Sequence, residues 1–327
     1  MLHARISGIA SYLPDGILDN EMLSQMVDTN DEWITTRVGI KTRHILKEEG
    51  LGSSHLGMHA VNRLLESTGN KPEDIDLIIC ATSNPDYRFP STASVIAHKC
   101  GLTNCYGYDI QAACAGFIVA LQDAAAYVRA GYNKKVIVVA AEMMSSMVNY
   151  QDRSTCPLFG DGAAAVLVEP TEKETGVMDA VFHVNGEGRD HLVMRAGGSV
   201  MPTTHETVDA GHNFLFQDGR NVYKHAVTDM YNSTLEITKR NGLTMETVDW
   251  LVPHQANLRI IEAVSSRAGI DPAKVLVNIE HTGNTSAASI PICLDENKSR
   301  LKAGDKIVLT AFGAGFTWGA MYLIWDL

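Results

Sequence analysis

The chain has 327 residues, of which 45% are hydrophobic and 20% are charged, and this composition predicts a globular protein with two domains. Its formal net charge of −11 argues against a nucleic-acid partner, and no apolar stretch approaches the roughly 18 residues of a membrane span. The six Cys residues form no C-x-x-C pair or zinc spacing and the N-terminal residues lack a signal-peptide core, so we expect a cytoplasmic protein.

The first half of the chain alternates predicted strands and helices. Strands are predicted at 4–12, 77–81, 106–110, 134–141 and 163–168, and helices at 20–26, 53–68 and 91–98. The strand at 134–141 is apolar throughout, which is typical of a sheet covered on both faces. The charged segment 169–176 is the predicted domain boundary, which gives halves at 1–172 and 173–327.

The second half repeats the first in outline. Glu246-Thr-Val-Asp249 precedes a predicted strand at 250–252, just as Glu73-Asp-Ile-Asp76 precedes the strand at 77–81. Two similar α/β halves usually face each other with a site between them. The other elements predicted in this half are a helix at 221–240, a strand-like segment at 275–280, and strands at 306–311 and 320–325.

Residues 186–220 contain several Gly and His residues and show little hydrophobic periodicity. This pattern predicts a long surface excursion that is either functional or mobile. No H-x-x-x-H or H-x-x-E-H spacing occurs there, so we expect ordinary loop His residues rather than metal ligands.

Cys114 lies where a predicted strand turns into a helix, among the small residues Ala112, Ala113, Ala115 and Gly116. A helix start exposes free N–H groups and favours negative charge, so this thiol is expected to ionise readily and act as a nucleophile. A small buried core residue is the other interpretation, because that is the commonest environment of a free Cys. The local sequence does not decide between the two.

Three further segments place reactive or donor groups after a predicted strand. His254 follows the strand at 250–252, where α/β folds bind ligands. Asn284 lies in a small-residue turn and suits either a helix N-cap or an amide donor. The loop at 311–319 is followed by a strand rather than a helix, which argues against dinucleotide binding and favours backbone N–H groups that stabilise an oxyanion.

A Cys, a His and an Asn in this chain order fit two classes of enzyme. A papain-like thiol hydrolase uses these residue types in the same order. A thioester condensing enzyme uses them differently, and the residues alone leave both classes open.

Six motifs together carry a family resemblance: Ala112-Ala-Cys114-Ala-Gly-Phe117, His254-Gln-Ala-Asn257-Leu-Arg259, Gly283-Asn284-Thr-Ser-Ala-Ala-Ser289, Gly315-Phe-Thr-Trp-Gly319, Asp31-Glu-Trp33 and Phe159-Gly-Asp-Gly162. They resemble the signature blocks of the β-ketoacyl-[acyl carrier protein] synthase III family, which initiates type II fatty acid synthesis. The resemblance covers essentially the whole chain. It implies a thiolase-like α/β fold, with a duplicated unit in five α-β-α-β-α layers, and a homodimer.

The resemblance also implies an acyltransferase that condenses acyl-CoA, with acetyl-CoA as the expected primer, with malonyl-acyl carrier protein (malonyl-ACP). The products are 3-oxoacyl-ACP, CO2 and CoA. Cys114 matches the acyl-accepting nucleophile, and His254 and Asn284 match the residues that hydrogen-bond the malonyl thioester as it becomes an enolate. The backbone N–H groups of Cys114 and Ala314 match the oxyanion hole, although the family usually has Gly at the second position. No metal and no cofactor are implied, because loss of CO2 drives the condensation.

Binding residues are carried over in the same way. Trp33, Arg37 and Arg153 match positions that hold the adenine and phosphates of CoA, and Asn257 matches a residue of the pantetheine tunnel. Phe89 matches a residue that closes the acyl pocket across the dimer. Four residues depart from those common near CoA in the family: Val38, Ser154, Arg220 and Tyr223.

Arg259, Arg267 and Lys224 match the basic patch that receives the acidic carrier protein, although Arg259 also has Glu262 three residues away as a helical ion-pair partner. A synthase III-like enzyme of secondary metabolism and a thiol hydrolase remain the alternatives. A non-catalytic carrier-binding protein is disfavoured, because every chemical position is filled. The sequence does not specify which acyl-CoA serves as primer.

Overall fold

The computed structural model describes residues 2–327, which fold into mixed α/β structure. The strands are β1 (His3–Tyr12), β2 (Ile17–Asp19), β3 (Thr42–His44), β4 (Leu77–Ala81), β5 (Tyr106–Ile110), β6 (Val136–Glu142), β7 (Gly162–Thr171), β8 (Gly176–Val184), β9 (Leu192–Met194), β10 (Leu215–Gln217), β11 (Trp250–Pro253), β12 (Lys306–Gly313) and β13 (Thr317–Ile324). The α-helices are α1 (Asn20–Ser24), α2 (Asp31–Val38), α3 (Ser53–Thr68), α4 (Thr92–Lys99), α5 (Gly116–Arg129), α6 (His205–Asp209), α7 (Gly219–Arg240), α8 (Leu258–Ala268), α9 (Ile279–Thr282) and α10 (Ser289–Glu296).

Two larger sheets share one topology. The first has the order β1-β7-β6-β4-β5, and the second has the order β8-β13-β12-β11. Each sheet contains a parallel pair, β4 with β6 in the first and β11 with β12 in the second. Two further strands then pair antiparallel in each sheet, β7 and β1 in the first and β13 and β8 in the second. Val275 forms a parallel bridge to Leu251 at the place that β5 occupies in the first sheet. The predicted duplication is therefore present in the strand order.

Helices and sheets stack in five layers. α5 and α10 lie between the two sheets and form the central core with their inner faces, through residues such as Phe117, Leu121 and Ile292. α3 and α4 cover the outer face of the first sheet, and α7 packs on the outer face of the second with α8 beside it. Strand β6 is buried along its whole length, as its apolar sequence predicted, because helices cover both faces.

One sequence prediction of secondary structure was wrong, and one long strand was not predicted. Segment 275–280 is not a strand beyond the bridge at Val275. Its chain is held instead by the Gln255 side chain, whose carbonyl oxygen accepts from Asn278 N–H at 3.0 Å, and α9 begins at Ile279. Strand β8 was not predicted, because buried and exposed residues do not alternate regularly along it. Since β7 ends at Thr171 and β8 begins in the other sheet, the division into halves at residue 172 stays a prediction consistent with the sheet order.

The 186–220 excursion is ordered into short elements. It contains the antiparallel pair β9 and β10 and the helix α6. Hydrogen bonds tie its ends to the rest of the chain, with Asn185 and Phe316 exchanging both of their backbone groups. Within residues 2–327, no helix combines the length and the apolar character that a membrane crossing requires.

Candidate active site

A deep cavity of about 1230 Å³ opens at the carboxyl ends of strands from both sheets. Cys114 after β5, His254 after β11, and Asn284 before α10 all line it. The three residues that the sequence singled out are thus brought together from positions far apart in the chain. This location agrees with the rule that α/β folds bind ligands beyond the carboxyl ends of their strands.

Cys114 is held in a tight elbow between β5 and α5. The preceding residue, Ala113, has a positive φ of 46°, and residues 113–115 form one turn of 3-10 helix before α5 begins. Gly313 faces this elbow so closely that a Cβ there would lie 2.6 Å from the Cys114 backbone nitrogen. Small residues are required here because the loop after β12 packs directly against the backbone of the nucleophile.

The expectation that Cys114 ionises readily is not met in the free enzyme. Burial raises the pKa of the Cys114 thiol to about 12, and the nearby Glu142 carboxylate also raises it. The hydroxyl of Ser286, 3.6 Å from Sγ, acts in the opposite direction but does not offset burial. The resting group is a neutral thiol, so acylation requires a proton acceptor.

His254 is a neutral hydrogen-bond donor fixed at the base of the cavity. Its side chain is 1% exposed, and burial lowers its pKa to about 3. Nδ1 lies 2.7 Å from Ser289 Oγ, and the same Oγ accepts from the Gln255 N–H at 3.2 Å. Because that oxygen already accepts, its proton is available to Nδ1. This arrangement places the imidazole proton on Nε2.

Asn284 presents its amide nitrogen to the cavity. Its Oδ1 accepts from the Ser286 N–H at 2.8 Å, which fixes the orientation of the amide group. Its Nδ2 makes only a long contact of 3.5 Å to the Ala256 carbonyl. The backbone of Asn284 is anchored on both sides, since its N–H donates to Leu158 and its carbonyl accepts from Gly160. Asn284 and His254 are therefore two neutral donors on one cavity wall.

The turn after β12 forms a further part of the cavity lining. Ala314 lies in the turn between β12 and β13 and lines the cavity with Cys114. The side chain of Ala314 leaves its N–H intact, so the replacement of Gly at this position keeps the donor. The turn is compact, with Gly315 at φ 136°, a conformation that favours Gly.

Two cations lie close to an aromatic ring at the cavity. The guanidinium carbons of Arg37 and Arg153 lie 5.7 and 5.1 Å from the centroid of the Trp33 ring. Trp33 and Arg37 line the cavity, and Arg153 also contacts the exposed Asp28. Asn257 lines the wall and accepts the Arg259 N–H at 2.9 Å, so it caps α8. A planar ring flanked by guanidinium groups suits a nucleotide with phosphates.

Phe89 does not line this cavity. Its side chain is 85% exposed on the loop before α4, whereas its neighbours Tyr87 and Arg88 do line the cavity. The predicted role of Phe89 at the acyl pocket of a second copy stays a prediction.

The predicted basic patch is exposed on α7 and α8. Lys224, Arg259 and Arg267 all face solvent. Arg259 does not pair with Glu262. It stacks on Tyr223 with its guanidinium carbon 5.6 Å from the ring centroid, and Arg267 lies 4.2 Å from the ring of Tyr231. The aromatic rings hold these cations in place without neutralising them.

Several residues at the site were not predicted from the sequence. Ser289 orients His254, and Ser286 contacts Cys114, although both belong to the motif in which only Asn284 was assigned a role. Glu142, at the end of β6, is fully buried near the thiol. The excursion 186–220 supplies a wall of the cavity through Leu192, Val193, Met194, Ala196 and Leu215.

The side chains at the site define the chemistry that it can perform. Across residues 2–327, no three His, Cys, Asp or Glu side chains are grouped so that they would hold a metal ion. The cavity combines a thiol, two neutral donors and the Ala314 loop with a partly apolar lining. Such a site can hold an acyl group on sulfur and stabilise negative charge on a thioester oxygen.

Comparison with known proteins gives one consistent result. The family profile described as 3-Oxoacyl-[acyl-carrier-protein (ACP)] synthase III matches residues 108–186, and the profile of its C-terminal part matches residues 238–325. "Beta-ketoacyl-[acyl-carrier-protein] synthase III 2" of Bacteroides thetaiotaomicron is 55% identical over 324 residues, which cover 99% of this chain and 97% of the relative. The synthase III of Porphyromonas gingivalis strain W83 is 54% identical over the same share of both chains.

A solved structure agrees with the sequence comparisons. The crystal structure of 3-oxoacyl-[acyl-carrier-protein] synthase III from Aquifex aeolicus superposes with a TM-score of 0.90 at 40% identity. It covers 98% of this chain and 100% of the Aquifex chain. The thiolase-like fold expected from the sequence is thereby confirmed. With its profiles, its full-length relatives and its fold in agreement, this chain belongs to the β-ketoacyl-[acyl carrier protein] synthase III family.

Proposed function

We propose that this protein condenses an acyl-CoA primer with malonyl-ACP and so initiates fatty acid synthesis. The single observation that carries the proposal is the convergence of Cys114, His254 and Asn284 on one cavity in a chain of this family. The reaction divides into transfer of the acyl group to sulfur and a decarboxylative carbon–carbon bond formation. Acetyl-CoA is the primer that we expect.

In the first half-reaction, Cys114 attacks the thioester carbon of acyl-CoA. The carbonyl oxygen becomes an oxyanion that accepts from the backbone N–H groups of Cys114 and Ala314. Collapse of the tetrahedral intermediate breaks the bond to the CoA sulfur and leaves the acyl group on Cys114. Trp33, Arg37, Arg153 and Asn257 hold the CoA, with the ring stacking on the adenine and the guanidinium groups binding phosphates.

In the second half-reaction, malonyl-ACP replaces CoA in the cavity. His254 Nε2–H and Asn284 Nδ2–H donate to the malonyl thioester oxygen, and CO2 leaves as negative charge moves onto that oxygen. The resulting enolate carbon attacks the acyl carbon, and the bond from that carbon to Cys114 Sγ breaks. The products are 3-oxoacyl-ACP and the Cys114 thiolate, which takes up a proton to restore the thiol. Since release of CO2 supplies the driving force, we propose that no metal and no cofactor takes part.

The low pKa of His254 suits this role. A cationic imidazole would compete for the malonyl carboxylate, whereas a neutral one donates a hydrogen bond without holding the leaving CO2. With a pKa of about 3, His254 remains neutral throughout the physiological pH range.

The proposed function is tested by mixing purified protein with acetyl-CoA and malonyl-ACP. We expect release of CoA, CO2 and 3-oxobutanoyl-ACP in equal amounts. The same measurement over a series of longer and branched acyl-CoA primers maps the primer preference. Failure to form a 3-oxoacyl-ACP from every primer tested would favour the synthase III-like enzyme of secondary metabolism.

We propose that the carrier protein docks on the patch formed by Lys224, Arg259 and Arg267. All three are exposed and lie on two packed helices, and Arg259 also lines the cavity. A local basic patch lets an acidic enzyme bind an acidic partner in spite of its overall charge of −11.

Arg259→Glu is expected to raise the KM for malonyl-ACP by about tenfold, because it places an acidic group where a cation guides the partner. Acylation by acetyl-CoA should remain unchanged. Lys239→Glu is the matched control, because it makes the same charge change on α7 far from the patch. With a helix rise of about 1.5 Å per residue, Lys239 lies roughly 22 Å from Lys224. Equal KM values in the two variants would remove Arg259 from the docking surface.

We propose that two copies associate through the edge of the first sheet. β5 is an edge strand with β4 as its partner, and its residue Tyr106 is 53% exposed. An unprotected edge strand with an aromatic side chain is suited to pairing with a second copy. This association would also cover Phe89 and bring it to the acyl pocket of the partner. The dimer, the reduced free thiols and the family fit a cytoplasmic enzyme.

A further inference from the structure

Glu142 is a buried carboxylate next to the nucleophile that the condensation mechanism leaves without a role. It is 0% exposed. Its two oxygens accept the Ser83 N–H at 3.0 and 2.9 Å, and the Thr82 hydroxyl donates to it at 3.3 Å. None of the ion pairs within residues 2–327 involves it. A carboxylate buried without a cation is costly, which calls for an explanation beyond loop anchoring.

Ser286 connects this carboxylate with the thiol. Its Oγ lies 3.6 Å from Cys114 Sγ. Residues 286–288 pack against β6, whose last residue is Glu142. Burial raises the pKa of Glu142, and the Ser286 hydroxyl and the Ala287 N–H on this turn act in the opposite direction. Ser286 has a positive φ of 51° and donates its N–H to Asn284 Oδ1, so its backbone is held in place beside the thiol.

His254 lines the same cavity as the thiol and is the first candidate to accept its proton. His254 is unsuited, because Ser289 occupies Nδ1 and the ring protonates only near pH 3. The Glu142 carboxylate raises the pKa of the Cys114 thiol, so a negative charge on both groups at once is disfavoured. A proton that leaves sulfur is therefore best accommodated on the carboxylate.

We propose that Glu142, acting through Ser286, accepts the Cys114 proton as the thiol attacks the acyl thioester. As the bond between Sγ and the acyl carbon forms, the S–H proton passes to Ser286 Oγ and the Ser286 proton passes to Glu142. When the bond from the acyl carbon to the CoA sulfur breaks, Glu142 returns the proton through Ser286 to that sulfur. The products are the acyl-enzyme and neutral CoA thiol. The proposal rests on the proposed acyl transfer, and it makes Glu142 a positioning residue that acts through Ser286.

The relay predicts a pH dependence with a defined sign. Burial raises the pKa of Glu142 to about 7. The titratable groups that face it are the thiols of Cys80 on β4 and Cys114 on the elbow, both neutral near that pH. Glu142 pairs with Gly162 on β7, and the residue before Gly162 is Asp161. The Asp161 carboxylate accepts hydrogen bonds from the Ser145 hydroxyl and the Leu46 N–H instead. The relay needs the ionised carboxylate, so acylation should rise as pH increases through about 7 and fall below it.

Glu142→Gln tests the relay in a single-turnover experiment. Acylation by acetyl-CoA, followed as the mass of the Cys114 peptide, should slow by about 10²-fold and lose its rise between about pH 6 and 8. Ser286→Ala should cause the same two changes. Thr82→Val is the matched control, because it removes a contact to the same carboxylate away from the path to sulfur, and it should keep the wild-type profile. Decarboxylation of malonyl-ACP should persist in all three variants.

Alkylation of Cys114 by iodoacetamide gives a readout that does not depend on acyl-CoA. In the wild type the alkylation rate should rise as pH increases through about 7. In Glu142→Gln and Ser286→Ala this rise should be absent. A wild-type protein that is alkylated in this way but forms no acyl-enzyme would contradict the proposed function and support the relay. Glu142→Gln and Ser286→Ala variants that keep the wild-type pH profiles would overturn the relay and leave the proposed function standing.

Discussion

Cys114→Ser is expected to abolish acyl-enzyme formation, with a loss of at least about 10³-fold in the rate of acyl transfer. A serine hydroxyl fits the elbow between β5 and α5, but it ionises far less readily than a thiol. His254, with a pKa of about 3, does not accept its proton, and a serine hydroxyl is too weakly acidic for Glu142 to activate through Ser286. The measurement is the mass of the intact protein after incubation with acetyl-CoA, which should increase by one acetyl group only when Cys114 is present.

Cys105→Ser is the matched control for that experiment. Cys105 is also a free, partly exposed cysteine, but it does not line the cavity. The variant should acylate at the wild-type rate. Acyl transfer that survives Cys114→Ser, or that is lost in Cys105→Ser, would show that the acyl group is carried elsewhere.

His254→Ala is expected to separate the two half-reactions. Acylation of Cys114 should change little, because the oxyanion of acyl transfer is bound by backbone N–H groups. Decarboxylation of malonyl-ACP should fall by about 10²- to 10³-fold, since one of two donors to the enolate oxygen is removed. Both rates can be measured on the same preparation, as acyl-enzyme formation by mass and as release of CO2.

The same variant discriminates between a condensing enzyme and a thiol hydrolase. In a hydrolase with a Cys, His and Asn arrangement, the imidazole activates the thiol, so His254→Ala would abolish acylation as well. His281→Ala serves as control, because His281 is a surface residue that pairs with Glu296. Parallel loss of acylation and decarboxylation in His254→Ala alone would contradict the assignment made here.

Much of the fold was predictable because its sheets leave a strong pattern in the sequence. Strands that are covered on both faces, such as β4 and β6, are continuous apolar runs bounded by polar turns. The duplication was visible because a similar short motif precedes a buried strand in both halves. β8 and segment 275–280 were not predicted correctly, since the first lacks clean alternation and the second is shaped by a side chain distant in sequence, Gln255.

The candidate site was predictable only where a motif or a strand end marked it. Cys114, His254 and Asn284 each stand beside a recognisable turn, and the structure places all three at one cavity. The pKa of Cys114 was misjudged, because a helix start is visible in the sequence and the burial that opposes it is not. Glu142 was missed for a similar reason. A single acidic residue at the end of an apolar strand has no spacing that reveals its neighbours.

The central claim is that Cys114 carries an acyl group until a carbon nucleophile made in the same cavity removes it. The most direct test is to isolate the acyl-enzyme free of acyl-CoA and to add malonyl-ACP. We predict one 3-oxoacyl-ACP and one CO2 per acyl group, with Cys114 returned to the free thiol. Loss of the acyl group to water as a free acid, with no 3-oxoacyl-ACP formed, would contradict the account.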